Sequence, residues 1–403
     1  MRLKLKGLIS VQYQTRVDKD YNEMMGTLIK VVSNDLLPKR AGLSAMSEHQ
    51  LAAINWLKRA QDTTADGGVS YGYYLRGRPM SEYGFGWRPS YVETSGYIIE
   101  TFYDVALAHN DTSAALRAEA IGRWLITVQN EDGSFSNESM SRGSGLVFDT
   151  GQVLFGLTRC GKETGDAQFL AAAQKASLWL GRQQDEDGAW RKSTHKNIVH
   201  SYNARSAWAM LEFAKIANDK NIQALARKNL IWTISQQTEM GLFENASFTP
   251  GTAAFTHTIA YVIRGLFEGG LLLGDKTILA ASLRAAETVA KHVEPSGFIP
   301  GRMGLDGTVD DGFSCLTGNC QMAIIWYKMS TYFNMPDLAK AANKTMDYVQ
   351  SCQDIKTENL NIKGAVKGSE PIWGGYTPLA YPNWATKFFI EALLLKEERQ
   401  AHD

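Results

Sequence analysis

The chain has 403 residues, 44% hydrophobic and 21% charged, the proportions of a folded globular protein. Lys plus Arg and Asp plus Glu both total 42, so the formal net charge is zero, which excludes the basic excess of a large nucleic-acid footprint. No apolar run reaches the roughly 18 residues of a membrane span, and the basic start at residues 1–12 lacks a signal-peptide core, so a cytoplasmic chain is expected.

In chain order, residues 21–32 predict a helix lying against the outside of the main domain, within an N-terminal extension taken as 1–45. The main domain, 46–403, opens with an amphipathic helix at 47–59, where Ser47 and Gln50 read as a capping box. Apolar and amphipathic helices then alternate: 97–108 and 114–128, 151–158 and 167–182, 206–216 and 222–235. The pattern continues with 259–273 and 277–292, 321–333 and 337–351, and closes on an apolar helix at 385–395. Helices apolar on nearly every face are buried, and those with one polar face lie outside. The four cysteines, Cys160, Cys315, Cys320 and Cys352, are scattered and read as free thiols.

One phrase recurs after the amphipathic helices: Trp124, Gln129, Gly133, Phe135; then Trp179, Gln184, Gly188, Trp190; then Trp232, Gln237, Gly241, Phe243. Partial copies begin at Trp56 with Gln61 and at Tyr348 with Gln353, and Gly297–Phe298 is a remnant. Six copies spaced by about 53–68 residues predict an all-α chain, an (α/α)6 toroid of six helical hairpins in two concentric rings. The repeated glutamine is expected to bond backbone at a tight turn, a structural role, because a catalytic residue need occur only once. The long connectors at 67–91, 135–148, 189–199, 243–255, 299–314 and 356–381 all lead into inner helices, so all converge on one end of the ring, where a site is expected.

The phrases opening the inner helices are 90–98 (SYVETSGYI), 148–157 (FDTGQVLFGL), 200–208 (HSYNARSAW), 256–261 (THTIAY), 314–322 (SCLTGNCQM) and 381–388 (YPNWATKF). They aim Glu93, Asp149, Tyr202, Asn203, Arg205, His257, Asn319 and Asn383 at one central funnel, with His200 and Tyr261 beside them. Helix N-termini favour anionic groups there, and helix capping is the competing explanation for the Asp and Asn positions. Aromatic residues crowd the first connector (Tyr71, Tyr73, Tyr74, Tyr83, Phe85, Trp87, Tyr91) and the last (Trp373, Tyr376, Tyr381, Trp384). With Arg78 and Arg88 they suit the faces and acid groups of an anionic glycan, or else plug the barrel by packing.

The repeated phrase resembles the QW-type repeats of squalene–hopene cyclases and protein prenyltransferase β-subunits over roughly residues 46–396. The inner-helix phrases resemble bacterial proteins of polysaccharide biosynthesis that carry prenyltransferase/squalene-oxidase repeats. That resemblance implies a role in exopolysaccharide metabolism. Polysaccharide lyases, unsaturated uronyl hydrolases and uronosyl C5-epimerases use the same toroid.

Four chemistries are weighed against the residues. A proton-initiated terpenoid cyclase needs an Asp-x-Asp-Asp acid, and residues 306–311 have the wrong spacing. A prenyltransferase zinc needs Asp, Cys and His, and only Asp311 and Cys315 are present. Proton abstraction at C5 of a uronate needs a group to neutralise the carboxylate and a base. Arg205 and Asn203 would bind the carboxylate; Tyr202 or Tyr261 would exchange the proton, with His257 or His200 assisting. Hydrolysis needs two carboxyl groups, and Glu93 and Asp149 open adjacent inner helices. The expectation is a carbohydrate-active enzyme acting on a uronate-containing oligo- or polysaccharide as a lyase or C5-epimerase. Hydrolase, glycan-binding protein and cyclase-like enzyme are the alternatives. Substrate contacts are expected from Trp87, Arg88, Asn319, Asp311, Trp373, Tyr376, Asn383 and Trp384, with no metal, cofactor or nucleic acid.

Overall fold

The computed structural model describes residues 21–37, 44–76, 85–136 and 143–402. The expected Arg78 and Tyr83 contacts lie outside the described residues. Helix α1 covers residues 21–35. Six outer helices come next: α2 (Met46–Asp62), α4 (Thr112–Val128), α6 (Ala167–Gln183), α8 (Lys220–Ser235), α10 (Lys276–Ala290) and α12 (Pro336–Cys352). They alternate with inner helices α3 (Val92–His109), α5 (Val147–Thr164), α7 (Ala204–Ala217), α9 (Thr256–Leu273), α11 (Leu316–Tyr332) and α13 (Asn383–His402). Each inner helix packs on the next, and α13 returns to α3, so the inner ring is closed. The first outer helix, α2, packs on the last inner helix, α13, and completes the sixth hairpin. The chain is an (α/α)6 toroid.

The two rings start differently. Asp111, Asp166, Asp219 and Asp275 cap α4, α6, α8 and α10, each accepting a backbone N–H of the first turn. The N-cap residues of α3, α5, α7, α9 and α11 make no side-chain cap. The capping explanation is therefore set aside for these five inner helices. The capping box at Ser47 does not form either: α2 starts at Met46 without a side-chain cap, and Gln50 donates to Glu397 at 3.3 Å.

The repeated glutamines are clamps. Gln129 Nε2 donates to Gly133 O at 3.0 Å and to Ala172 O on the next outer helix at 2.9 Å. Gln184 does the same to Gly188 and Leu225, Gln237 to Gly241 and Ala281, and Gln61 to Gly67 and Arg117. Gln353 bonds Gly364 O and His49 O, which joins α12 to α2 across the closure. Gly133 has φ +94°, and a Cβ there would meet Lys175 O at 2.5 Å, so only glycine fits. Replacing Gln184 by Leu is expected to cost about 2 kcal/mol in urea unfolding, because two buried carbonyls lose their donor.

Glycines also bring the inner helices together. A Cβ at Gly96 would lie 2.6 Å from Val153 Cα, at Gly265 2.5 Å from Ala204 C, and at Gly318 2.6 Å from His257 N. Helix backbones thus touch around the ring.

The connectors are tied by short antiparallel strands that the helical pattern did not reveal. β1 (Gly72–Tyr74) lies between β2 (Gly86–Trp87) and β8 (Ala380–Pro382), joining first and last connectors. β3 (Ala254–Phe255), β4 (Arg302–Met303) and β5 (Val309–Asp310) form a second sheet; β6 (Ser314–Cys315) pairs with β7 (Ser369–Glu370). None of the four cysteines is in a disulfide, and all four are buried. No helix among the described residues is long and apolar enough to cross a membrane.

Candidate active site

The connector end of the ring opens into a cavity of about 260 Å³. Its wall carries seven of the expected residues: Glu93, Asp149, Tyr202, His257, Tyr261, Tyr376 and Trp384. It also carries Tyr97, Phe148, His195, Phe248, Thr94, Thr258, Leu146 and Thr377, which the sequence reading did not single out. Tyr97 had a signal: it stands one helical turn after Glu93 on the same face. Tyr71 and Tyr91, from the first aromatic cluster, complete the wall.

Glu93 and Asp149 sit in the first turns of the neighbouring helices α3 and α5. Tyr91 Oη donates to Glu93 Oε2 at 2.9 Å. Asp149 is 4% exposed, and its Oδ2 has no hydrogen-bond partner within the fold. Burial pushes the Glu93 carboxyl up to about 7; the Tyr91 bond and the charge of Arg205 only partly offset it. Burial pushes Asp149 well above the usual range as well, and the charge of Glu93 pushes it further. The two titrate as a pair that keeps a proton at neutral pH.

Opposite them, α9 presents His257 and Tyr261, whose rings lie 4.4 Å apart. His257 Nδ1 faces Gln321 Oε1 at 2.8 Å, so Nδ1 carries the proton and Nε2 keeps its lone pair. Burial pushes this imidazole down to about 3, so it stays neutral. The hydroxyls of Tyr97 and Tyr261 are buried and interact with one another. Trp384 Nε1 donates to Tyr376 Oη at 2.9 Å, and Tyr71 meets the Trp384 ring edge-on at 4.7 Å. Phe148 packs on Tyr202 at 5.3 Å and on Tyr261 at 5.1 Å.

The other expected residues have different places. Arg205 is fully buried, not in the wall. Its Nε donates to Gln152 Oε1 at 2.6 Å, and its guanidinium lies among the rings of Tyr97, Phe155, Trp208, Tyr261 and Phe388. The residue stands about one helical turn beyond Tyr202, so it lies deeper in the ring's interior, beneath the wall. Asn203 is buried outside the wall, with neither amide atom partnered. His200 stacks on Tyr202 at 4.4 Å, and its two ring nitrogens face the carbonyls of Ser247 and His195, so it braces two connectors. Asn319 donates to Ser314 Oγ, and Asn383 to Ser70 O and Thr94 Oγ1; both pin connectors. Trp87 packs on Trp56 at 5.2 Å, and Arg88 lies over the Tyr74 ring at 4.5 Å. Asp311 and Trp373 are exposed outside the wall. Among the described residues, no three His, Cys, Asp or Glu side chains are grouped to hold a metal ion.

Residues 70–267 match the sequence model of the squalene–hopene cyclase C-terminal domain. The squalene–hopene cyclase of Zymomonas mobilis is 23% identical over 245 residues, 57% of this chain and 35% of the cyclase. The chain thus spans about a third of the length of the curated relatives it matches. Among solved structures, the unsaturated glucuronyl hydrolase of Bacillus sp. GL1 superposes with a TM-score of 0.68 at 12% identity, covering 88% of this chain and 97% of the hydrolase. The cellobiose 2-epimerase of Bacillus thermoamylovorans also gives 0.68 at 12% identity, covering 87% and 97%. The clamped glutamines, the closed double ring and these likenesses together make the chain an (α/α)6 toroid whose residues 70–267 are similar to the squalene–hopene cyclase C-terminal domain.

Proposed function

We propose that the chain is a glycan-acting enzyme in which Glu93 and Asp149 serve as the general acid for a sugar ring seated in the cavity. The observation that carries this reading is the pair: two carboxyls in one aromatic-walled cavity, retaining a proton at neutral pH. Such an acid protonates a glycosidic oxygen as the bond to the anomeric carbon breaks, and water then adds to that carbon and returns a proton to the carboxylate pair. The rings of Tyr71, Tyr202 and Trp384 provide apolar faces for the sugar. The toroids it superposes on include an unsaturated glucuronyl hydrolase and a cellobiose 2-epimerase, which supports a saccharide substrate. Hydrolysis takes precedence over C5 proton abstraction because Arg205 and Asn203, expected to bind a uronate, are outside the wall. Bacterial exopolysaccharide metabolism is the setting the sequence resemblance implies.

His257 favours a second reading. A neutral imidazole with its Nε2 lone pair free, beside Tyr261, supports proton exchange at a carbon next to a carbonyl, as in a lyase or epimerase. Protonated Asp149 would then face the substrate carboxylate in the role first given to Arg205.

Incubation with a panel of neutral and uronate oligosaccharides in heavy water separates these readings. New reducing ends without ultraviolet absorbance are the expected result. Deuterium on a ring carbon without cleavage establishes the second reading as an epimerase, and new absorbance as a lyase. Binding of a panel member with no change in any channel leaves a glycan-binding protein and overturns both.

A further inference from the structure

Helix α1 stands outside both rings, yet a buried ionic cluster joins it to the connector that reaches the cavity. Lys367 Nζ meets Asp35 Oδ1 at 2.5 Å and also pairs with Glu370; the Lys367 and Asp35 side chains are 4% and 3% exposed. Asp35 Oδ2 accepts the N–H of Ile372 at 2.8 Å. From there the connector closes on itself. Leu379 N donates to Ile372 O at 2.8 Å, and Ser369 Oγ bonds both the carbonyl and the N–H of Tyr376, at 2.6 and 3.0 Å. Tyr376 is the inner tip of this noose. Its ring lies 5.0 Å from His257, and its hydroxyl accepts from Trp384. Thr377 beside it also lines the cavity.

We infer that Asp35 is a positioning residue for the cavity: it latches the neck of residues 369–379 so that Tyr376 stays over His257. The inference rests on the cavity being the site proposed above. Both Asp35 carboxylate oxygens are committed, one to a lysine on the connector and one to its backbone, which is the geometry of a clamp rather than of a surface ion pair. Met24 and Val31 of α1 are buried, and Thr27 accepts from Asn359, so the helix stays docked when the charge alone is removed.

The test is Asp35→Asn in the full chain, read by hydrogen exchange and by carbethoxylation of histidines mapped by mass spectrometry. Exchange over residues 369–380 is expected to rise about tenfold, with α9 and α11 unchanged. His257 modification is expected to accelerate severalfold as the Tyr376 ring lifts away. Unchanged exchange in that segment overturns the latch. A uniform rise across the inner helices also overturns it, by making Asp35 a residue of global stability. If Asp35→Asn is insoluble, Asp35→Glu keeps the charge but misplaces the bond to Ile372 N, and gives the same pattern at smaller amplitude. On a saccharide turned over by the wild type, Asp35→Asn is expected to raise KM with little change in kcat, and an unmoved KM overturns the positioning role. Failure of the wild type to turn over any panel member falls on the proposed function, and leaves the exchange and modification results to decide the latch.

Discussion

Asp149→Asn is expected to lower turnover by about a hundredfold to ten-thousandfold, the range for loss of a positioned general acid. The amide keeps the shape of the carboxyl and removes the proton that Asp149 holds at neutral pH. Glu93→Gln is expected to have a comparable effect, because it removes the charge that helps hold the proton on Asp149. The pH dependence comes from the direction of the shifts. The acid must be protonated, so kcat/KM falls only once pH passes the raised range in which Asp149 gives up its proton, and ionisation of Glu93 delays that loss. Stability has the same slope. Between pH 4.5 and about 7 the folded chain holds a proton on Glu93 that the unfolded chain has released, so stability falls as pH rises through that window. The loss from Glu93 is of order 3 kcal/mol. His257 acts on the other side: its pKa is depressed, so stability is lost as pH falls below 6.5, where the unfolded ring protonates first. Urea unfolding at pH 5, 6.5 and 8 checks this. A Glu93→Gln variant as steeply weakened by high pH as the wild type contradicts the assignment of the proton to this pair.

Arg264→Met is expected to be the most destabilising single change in the interior, at about 3–5 kcal/mol in denaturant unfolding. Arg264 on α9 pairs with Glu391 on α13 and lies 3.6 Å from Glu268. Lys328 on α11 pairs with Glu268, and Lys387 meets Glu391 at 2.6 Å. The network therefore ties three inner helices across the bore. Burial works against ionised Glu391, but the charges of Arg264 and Lys387 outweigh it and hold the carboxyl well below its ordinary range. That contribution is present above pH 4.5 and is lost as pH falls. The control is Lys328→Met, whose side chain is 33% exposed and whose loss is expected to cost about 1 kcal/mol or less. Equal costs for the two variants would mean that Arg264 is no better desolvated in function than the rim.

The ring was legible because its signal is repeated. Each copy of Gln, Gly and two aromatics solves the same problem, satisfying a turn and stapling it to the next helix, so five glutamines each make the same pair of bonds. Glu93, Asp149, His257 and Tyr261 were legible for a related reason. They occupy equivalent first and second turns of inner helices, and closing the ring aims them together. Arg205 and Asn203 stand outside the wall for reasons that residue type does not carry: Arg205 is about one turn deeper than Tyr202, and Asn203 is one position round from it. A few positions along the start of α7 separate the cavity wall from the aromatic interior that encloses the guanidinium. His195, Phe248 and Thr377 were not legible, since a connector's path is set by strand pairings and bends that have no period. The Asp35 clamp escaped for the same reason: its partners lie more than 300 positions away.

The glycine joints of the inner ring have an evolutionary consequence. With α3 against α5, α7 against α9 and α9 against α11 at backbone contact, the circumference of the bore is fixed by hydrogen atoms, the smallest spacers available. A bulkier residue at Gly96, Gly265 or Gly318 would force apart a closed loop of helices that has no free end to absorb the change. A lineage that keeps this scaffold is therefore held to a bore of constant gauge. New substrates must then be accommodated by rewriting the connectors.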